Sequence, residues 1–283
     1  MTDASKDVWA AGNRYEPYVG RWSRLVAKEL LNWLKIAARK DWLDVGCGTG
    51  ALTEMILQLA QPHSVKGIDP SAEFVEYAKT KISSTLATFE IGDAQSLPAG
   101  AGEFDAAVAG LVLNFVPQPS QAVAEMARVV RPGGTVAAYV WDYAGKMELM
   151  RYFWDAAVAL DPLAFDLDEG RRFPICQPKP LAEQFGQAGL QGVEVRAIDI
   201  PTRFHDFDDY WSPFLGGQGP APGYAMSLSE ERRGALRDRI RANLPNAPDG
   251  TVSLVARAWA VRGQTSPETP TNMTPDVRLN RAA

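Results

Sequence analysis

The chain has little of what metal centres and disulfide-stapled folds are built from. It carries only two cysteines, Cys47 and Cys176, and two histidines, His63 and His205. That supply makes no disulfide framework and no metal site by spacing, and it suits a reducing cytoplasm. A surplus of positive charge is also missing: 29 Lys and Arg stand against 34 Asp and Glu, for a net charge of -5. No nucleic-acid partner is therefore expected, because a grip on phosphates needs basic residues massed on one face. Long apolar runs are absent too. The most apolar stretch, Phe104 to Val116, is too short for a membrane span, and MTDASKDVWAAGNRYEP at the start has no signal-like apolar core. There is no internal repeat.

What remains is ordinary globular composition, 46% hydrophobic and 22% charged over 283 residues. The length suits one large α/β domain with insertions or two small domains. The most informative stretch is DWLDVGCGTGALTEMI, residues 41 to 56. Trp42 to Val45 reads as a short buried strand, and Ala51, Leu52, Met55, Ile56 and Leu59 recur at helical spacing. Gly46, Gly48 and Gly50 fall between them, where a missing Cβ lets another molecule approach the main chain. The free N–H groups of the helix's first turn suit a nucleotide-like or carboxylate-bearing ligand. A tight turn without any ligand is the plainer alternative.

Strand-like and helix-like segments alternate through the first half, the pattern of a parallel sheet with crossover helices. Ser64 to Asp69 reads as a second strand, followed by a helix opened by Pro70-Ser71 that buries Phe74, Val75 and Ala78. Ala87 to Ile91 is a third strand and Phe104 to Leu113 a fourth, apolar enough for a central position. A helix over about 120 to 130 stops at Arg131-Pro132-Gly133-Gly134, and Thr135 to Val140 is a fifth strand. Further on, helices are expected over 146–160, 180–190 and 229–244, with strands over 193–200 and 252–261. GGQGPAPGY (216–224) reads as an irregular connection or a mobile gate.

The glycine spacing alone also fits a loose dinucleotide fingerprint, with Asp69 near the distance for a ribose contact. Three acids at successive strand ends, Asp44, Asp69 and Asp93, favour a different ligand. They suit an adenosine with a cationic amino-acid arm, whereas a pyrophosphate would meet too much negative charge. LDVGCGTG, VKGIDPS, FEIGDAQSLP, FDAAVAGLVLNFVPQP and ARVVRPGGTVAAYVW follow one another in order over about residues 40 to 142. Together they resemble the motifs of class I S-adenosylmethionine-dependent methyltransferases, in particular the group similar to ubiquinone and menaquinone biosynthesis methyltransferases. YEPYVGRWSR (15–24) resembles that group's N-terminal helix.

The resemblance implies a Rossmann-like three-layer α/β sandwich, a mainly parallel seven-stranded sheet with the last strand antiparallel, plus a helical and aromatic lid insertion. One domain over 1–263 is expected, with its core at about 25–145, 179–203 and 251–263. Lid insertions would span about 146–178 and 204–250, with a flexible tail over 264–283. S-adenosyl-L-methionine is the implied cofactor. Gly46, Cys47, Gly48 and Gly50 would surround its methionyl part, with Asp44 toward the ammonium group and Tyr18 or Arg21 toward the carboxylate. Asp69 and Pro70 would hold the ribose, Asp93 and Ala94 the adenine, and Gly110 and Leu111 would line the sulfonium.

A small-molecule acceptor, aromatic or apolar, is expected to meet Trp141, Tyr143, Trp154, Tyr210, Trp211 and Phe214, unless these rings form the insertion's own core. His205, in RFHDFDDYW, is the candidate general base, with a surface histidine as the bland alternative. His63 precedes the second strand at the wrong end of the sheet, and no metal site is expected. Arg232, Arg233, Arg237, Arg239 and Arg241 read as a solvated helix face. Competing functions are a nicotinamide-dependent oxidoreductase on a similar sheet and a non-catalytic cofactor-binding protein. A homodimer is compatible with the sequence.

Overall fold

The computed structural model describes residues 20–216, 219–245 and 247–267. Its seven strands are β1 (Asp41–Val45), β2 (Ser64–Asp69), β3 (Ala87–Ile91), β4 (Phe104–Gly110), β5 (Val130–Trp141), β6 (Gln191–Phe204) and β7 (Val252–Gln264). They form one sheet in the order β3-β2-β1-β4-β5-β7-β6. The first five strands pair in parallel, whereas β7 runs antiparallel to both β5 and β6. The expected mainly parallel sheet with an antiparallel last strand is what forms.

Helix α1 (Arg21–Leu34) buries Trp22, Val26, Ala27, Leu30, Leu31 and Leu34, one stripe at helical spacing. α2 (Ala51–Leu59) follows β1, and α3 (Ala72–Lys81) follows β2 with the Ser71 side chain capping its first turn. α4 (Pro119–Val129) joins β4 to β5. The chain moves one way along the sheet from β1 to β2 and the other way from β4 to β5. Right-handed crossovers then place α2 and α4 on opposite faces, giving three layers. That reversal between β1 and β4 is where an open α/β sheet leaves a crevice at its strand tips. The central strands are apolar because both faces are covered: Ala106, Ala107, Val108 and Ala109 of β4 are fully buried.

Several boundaries differ from the sequence reading. β4 ends at Gly110 rather than Leu113, because Leu111 turns into the left-handed region (φ 62°) and a 3-10 turn takes up Leu113–Phe115. Arg131-Pro132-Gly133-Gly134 does end α4, but it lies within β5, whose register with β4 shifts between Phe104 and Ala106. GGQGPAPGY is no irregular connection from Pro220 onward: α8 (Phe207–Trp211) and a 3-10 turn are followed by α9 (Pro220–Ser227), while 217 and 218 lie outside the described residues. Proline suits the first helical turn, where its missing N–H has no partner to lose.

The second insertion closes with α10 (Glu230–Asn243). The first contains α5 (Glu148–Leu160), a 3-10 segment Pro162–Leu167, the short α6 (Glu169–Arg172) and leads to α7 (Pro178–Gln187). The two insertions share an aromatic core in which Phe153 stacks on Phe214 at 4.5 Å between ring centres. Arg151 ties the first insertion together and to the turn after β5: it donates to the Tyr143 carbonyl at 2.8 Å and to both Asp168 oxygens at 2.9 and 2.7 Å. The tail expected over 264–283 enters β7 at Gln264, and residues beyond 267 lie outside the described residues. No described helix is long and apolar enough to cross a membrane.

Glu169 is buried against Trp154, whose indole N–H donates to its carboxylate, and burial pushes its pKa up to about 8. A carboxyl raised in the fold contributes stability at low pH that is lost as pH climbs from its unfolded range through about 8. Glu169→Gln keeps an acceptor for Trp154 without the charge. In thermal melts the variant is expected to exceed wild type at pH 8 by the equivalent of a few kcal/mol, the gap closing toward pH 5. A gap independent of pH would refute the assignment.

Candidate functional site

A cavity of about 280 Å³ opens at the carboxyl ends of the strands, beside the β1–β4 reversal. The turn after β1 forms one wall. Gly46 and Gly48 take φ of 69° and 52°, and a Cβ on Gly46 would lie 2.4 Å from a Val112 methyl carbon. The amides of Gly46 and Cys47 donate to the Ile68 carbonyl at 2.7 and 3.0 Å, which ties the turn to the tip of β2. Gly50 also has a left-handed φ, but it caps α2 and packs toward Ile82 instead of lining the cavity.

Asp69 accepts the Gly48 amide through Oδ2 and the Ser71 amide through Oδ1, each at 2.9 Å. Burial nevertheless raises its pKa above the ordinary carboxylate value. Asp44 is 1% exposed and accepts the Thr53 hydroxyl at 2.7 Å, while its Oδ1 has no hydrogen-bond partner among the described residues. Desolvation pushes its pKa up to about 7. Asp93 is exposed at the tip of β3 and accepts the Gln95 amide at 2.9 Å. Cys47, Pro70, Ala94, Gly110 and Leu111 line the same cavity. Burial holds the Cys47 thiol protonated, so it is no nucleophile there.

The structure brings ten of the twelve sequence-derived cofactor residues to one cavity, leaving Gly50 behind the turn and Tyr18 outside the described residues. Arg21 donates to Asp209 at 2.9 Å and lies over the Trp22 and Phe204 rings, tying α1 to α8 away from the cavity lining. Of the aromatic residues, Trp141 and Tyr143 line the cavity. Trp154, Tyr210, Trp211 and Phe214 do not: they are buried in the insertions' own core, where Tyr210 donates to the Leu149 carbonyl at 2.8 Å. His205 also lies outside the lining, its side chain 90% exposed and its Nδ1 3.3 Å from Asp206. The reason is topological, since β6 ends at the sheet edge, with β7 between it and β5. His63 sits 2.7 Å from Asp41 at the amino ends of the strands, as expected.

Sequence reasoning missed Tyr139, Phe115, Val116, Pro117, Phe74 and Thr53. Tyr139 had a signal: it precedes Trp141 by two residues on one strand, so both side chains stand on one face. Thr53 stands one turn into α2, under Asp44. Phe115 belongs to the unforeseen 3-10 turn, and it packs edge-on against Phe173 of the first insertion at 5.3 Å.

A model of the methyltransferase domain matches residues 43–138. A ubiquinone biosynthesis O-methyltransferase of Burkholderia thailandensis is 32% identical over 178 residues, covering 59% of this chain and 73% of that protein. An uncharacterized methyltransferase of Mycobacterium tuberculosis is 32% identical over 114 residues, covering 40% of this chain. The chain spans less than half the length of several curated relatives it matches, 44% in the mycobacterial case. Among solved structures, phosphoethanolamine N-methyltransferase 2 of Haemonchus contortus in complex with S-adenosyl-L-methionine superposes with a TM-score of 0.57. The identity there is 14%, over 91% of this chain and 57% of that one, a likeness of fold. The chain belongs to the class I methyltransferases, whose cofactor is S-adenosyl-L-methionine.

Proposed function

We propose that this chain transfers a methyl group from S-adenosylmethionine to a small apolar or aromatic acceptor. The observation that carries this reading is the gathering of Asp44, Asp69 and Asp93 with the Gly46–Gly48 backbone around one cavity. The residues suit the cofactor's charges. A buried carboxylate with an unpartnered oxygen, as at Asp44, calls for a cation, and the ammonium of the methionyl arm is one. Asp69 has its inner lone pairs filled by two amides and keeps the others for the ribose hydroxyls. Asp93 with the Ala94 amide suits the adenine edge, and Gly46 and Gly48 admit the methionyl arm close to the main chain.

When bound, the cofactor supplies a methyl group on a sulfonium, with a neutral thioether as leaving group. The chain's own task is to align the acceptor and exclude water, effects that contribute about 7–11 kcal/mol in well-oriented reactions. Trp141, Tyr143 and Phe115 form the apolar wall that suits a flat or greasy acceptor. Along the β4–β5 side, the described lining residues include tyrosine hydroxyls but no carboxylate and no imidazole. An acceptor that brings its own lone pair, or is already ionised, fits that wall best.

Mass spectrometry with a trideuteromethyl-labelled cofactor and a panel of aromatic and apolar acceptors tests the reading; label in no product, despite cofactor binding, would refute catalysis. Titration calorimetry with S-adenosylhomocysteine tests the placement. Asp69→Ala is expected to weaken binding by about 100-fold, two charge-assisted contacts being lost. Asp44 adds a pH dependence. Binding an ammonium requires its ionised form, so affinity should fall as pH drops below about 7, by at most about tenfold per unit. Asp44→Asn should bind more weakly at pH 8 and show a flat profile; an unchanged slope would exclude Asp44 as the ammonium's partner.

A further inference from the structure

Tyr139 of β5 pairs directly across the ladder with Gly110, the last residue of β4. Cross-strand partners stand on the same face, so the phenol ring has only a hydrogen atom opposite it and lies on the Gly110 main chain. A Cβ built on Gly110 would sit 2.6 Å from the Tyr139 hydroxyl oxygen and 2.8 Å from the ring carbon that bears it. Any side chain at position 110 would therefore displace the phenol. The next residue, Leu111, donates its amide to the Tyr139 carbonyl at 2.8 Å and turns left-handed, which ends the ladder there. The strand tip, the glycine and the phenol all border the cavity, and Tyr139 is only 1% exposed, so its ring is held in place.

The oxygen of this phenol has a distinct setting. Asp44 is the last residue but one of β1, Asp69 ends β2 and Asp93 follows β3, whereas Tyr139 lies across the reversal on β5. On the proposed cofactor placement, on which this inference rests, Gly110 borders the sulfonium. A phenol oxygen carries two lone pairs and one proton, so it can turn negative density toward a cation and still hydrogen-bond elsewhere.

We propose that Tyr139 is a positioning residue for methyl transfer, its phenol oxygen seated on Gly110 to face the sulfonium end of the cofactor. The lone pairs attract the positively charged sulfonium of S-adenosylmethionine and have no such attraction to the neutral thioether of S-adenosylhomocysteine. Tyr139 thus favours the charged donor over the spent product and fixes the donor's reacting end against the rigid strand tip. It makes and breaks no bond itself.

Titration calorimetry of both ligands on wild type and on Tyr139→Phe separates this role from mere packing. The variant keeps the ring on Gly110 and removes only the oxygen. Affinity for S-adenosylmethionine is expected to fall about 5- to 10-fold, with S-adenosylhomocysteine changed less than about twofold. Both ligands are measured on one preparation, so a loss of folded protein cancels in their ratio. An equal change for both ligands, or no change in either, overturns the proposal. If wild type binds neither ligand, the cofactor placement itself fails, an outcome distinct from an unaltered ratio.

Discussion

Asp69 clasps the site together. Its two oxygens take amides from the glycine turn after β1 and from the cap of α3, so one buried carboxylate ties the two loops together beyond the ladder between β1 and β2. The Ile68 carbonyl adds two more amides from the same turn. The left-handed glycines make that geometry accessible, because the amides must point back at β2 while the chain reverses into α2. Without Asp69 the Gly48 and Ser71 amides lose their acceptor, while the Gly46 and Cys47 amides keep the Ile68 carbonyl.

The same carboxylates set up a tension that a cationic ligand relieves. Asp44 and Asp69 are both buried, both are raised by desolvation, and the charge on Asp69 adds to the rise at Asp44. No lysine or arginine lines the cavity among the described residues. Such an arrangement costs stability without a ligand and gains most from one that brings positive charge, so the acids select for charge as well as shape. A pyrophosphate cofactor would raise the repulsion instead, which agrees with the family found by comparison.

The half of the fold before Trp141 was legible because its signals are local. The glycine turn, Ser71 before a helix, and three acids at strand ends each depend on residues a few positions apart, and β2, β3 and the helix that buries Phe74 form where expected. Ten of the twelve cofactor residues assigned by order along the motifs border one cavity for the same reason. Signals failed where tertiary contacts decide. Trp154, Tyr210, Trp211 and Phe214 look alike in sequence whether they face a ligand or one another, and two insertions far apart in the chain bury them in a shared core. For His205 the structure gives the surface alternative, because sheet order, with β7 between β5 and β6, is not a local signal.

That shared core leaves other rings to border the cavity. The lid's rings pack on one another as structure, and the rings that wall the cavity are Trp141 at the end of β5, Tyr143 two residues beyond it and Phe115 from the turn after β4. The first insertion acts on that wall from behind. Phe173 touches both Phe115 at 5.3 Å and Tyr143 at 6.0 Å, and Arg151 pins the Tyr143 carbonyl while gripping Asp168, the cap of α6. A change in α6 therefore reaches that wall through the Phe173 ring and the Arg151 guanidinium without any residue of α6 bordering the cavity. The domain match over 43–138 stops short of both insertions, so this supporting layer lies outside the segment that the family model matches.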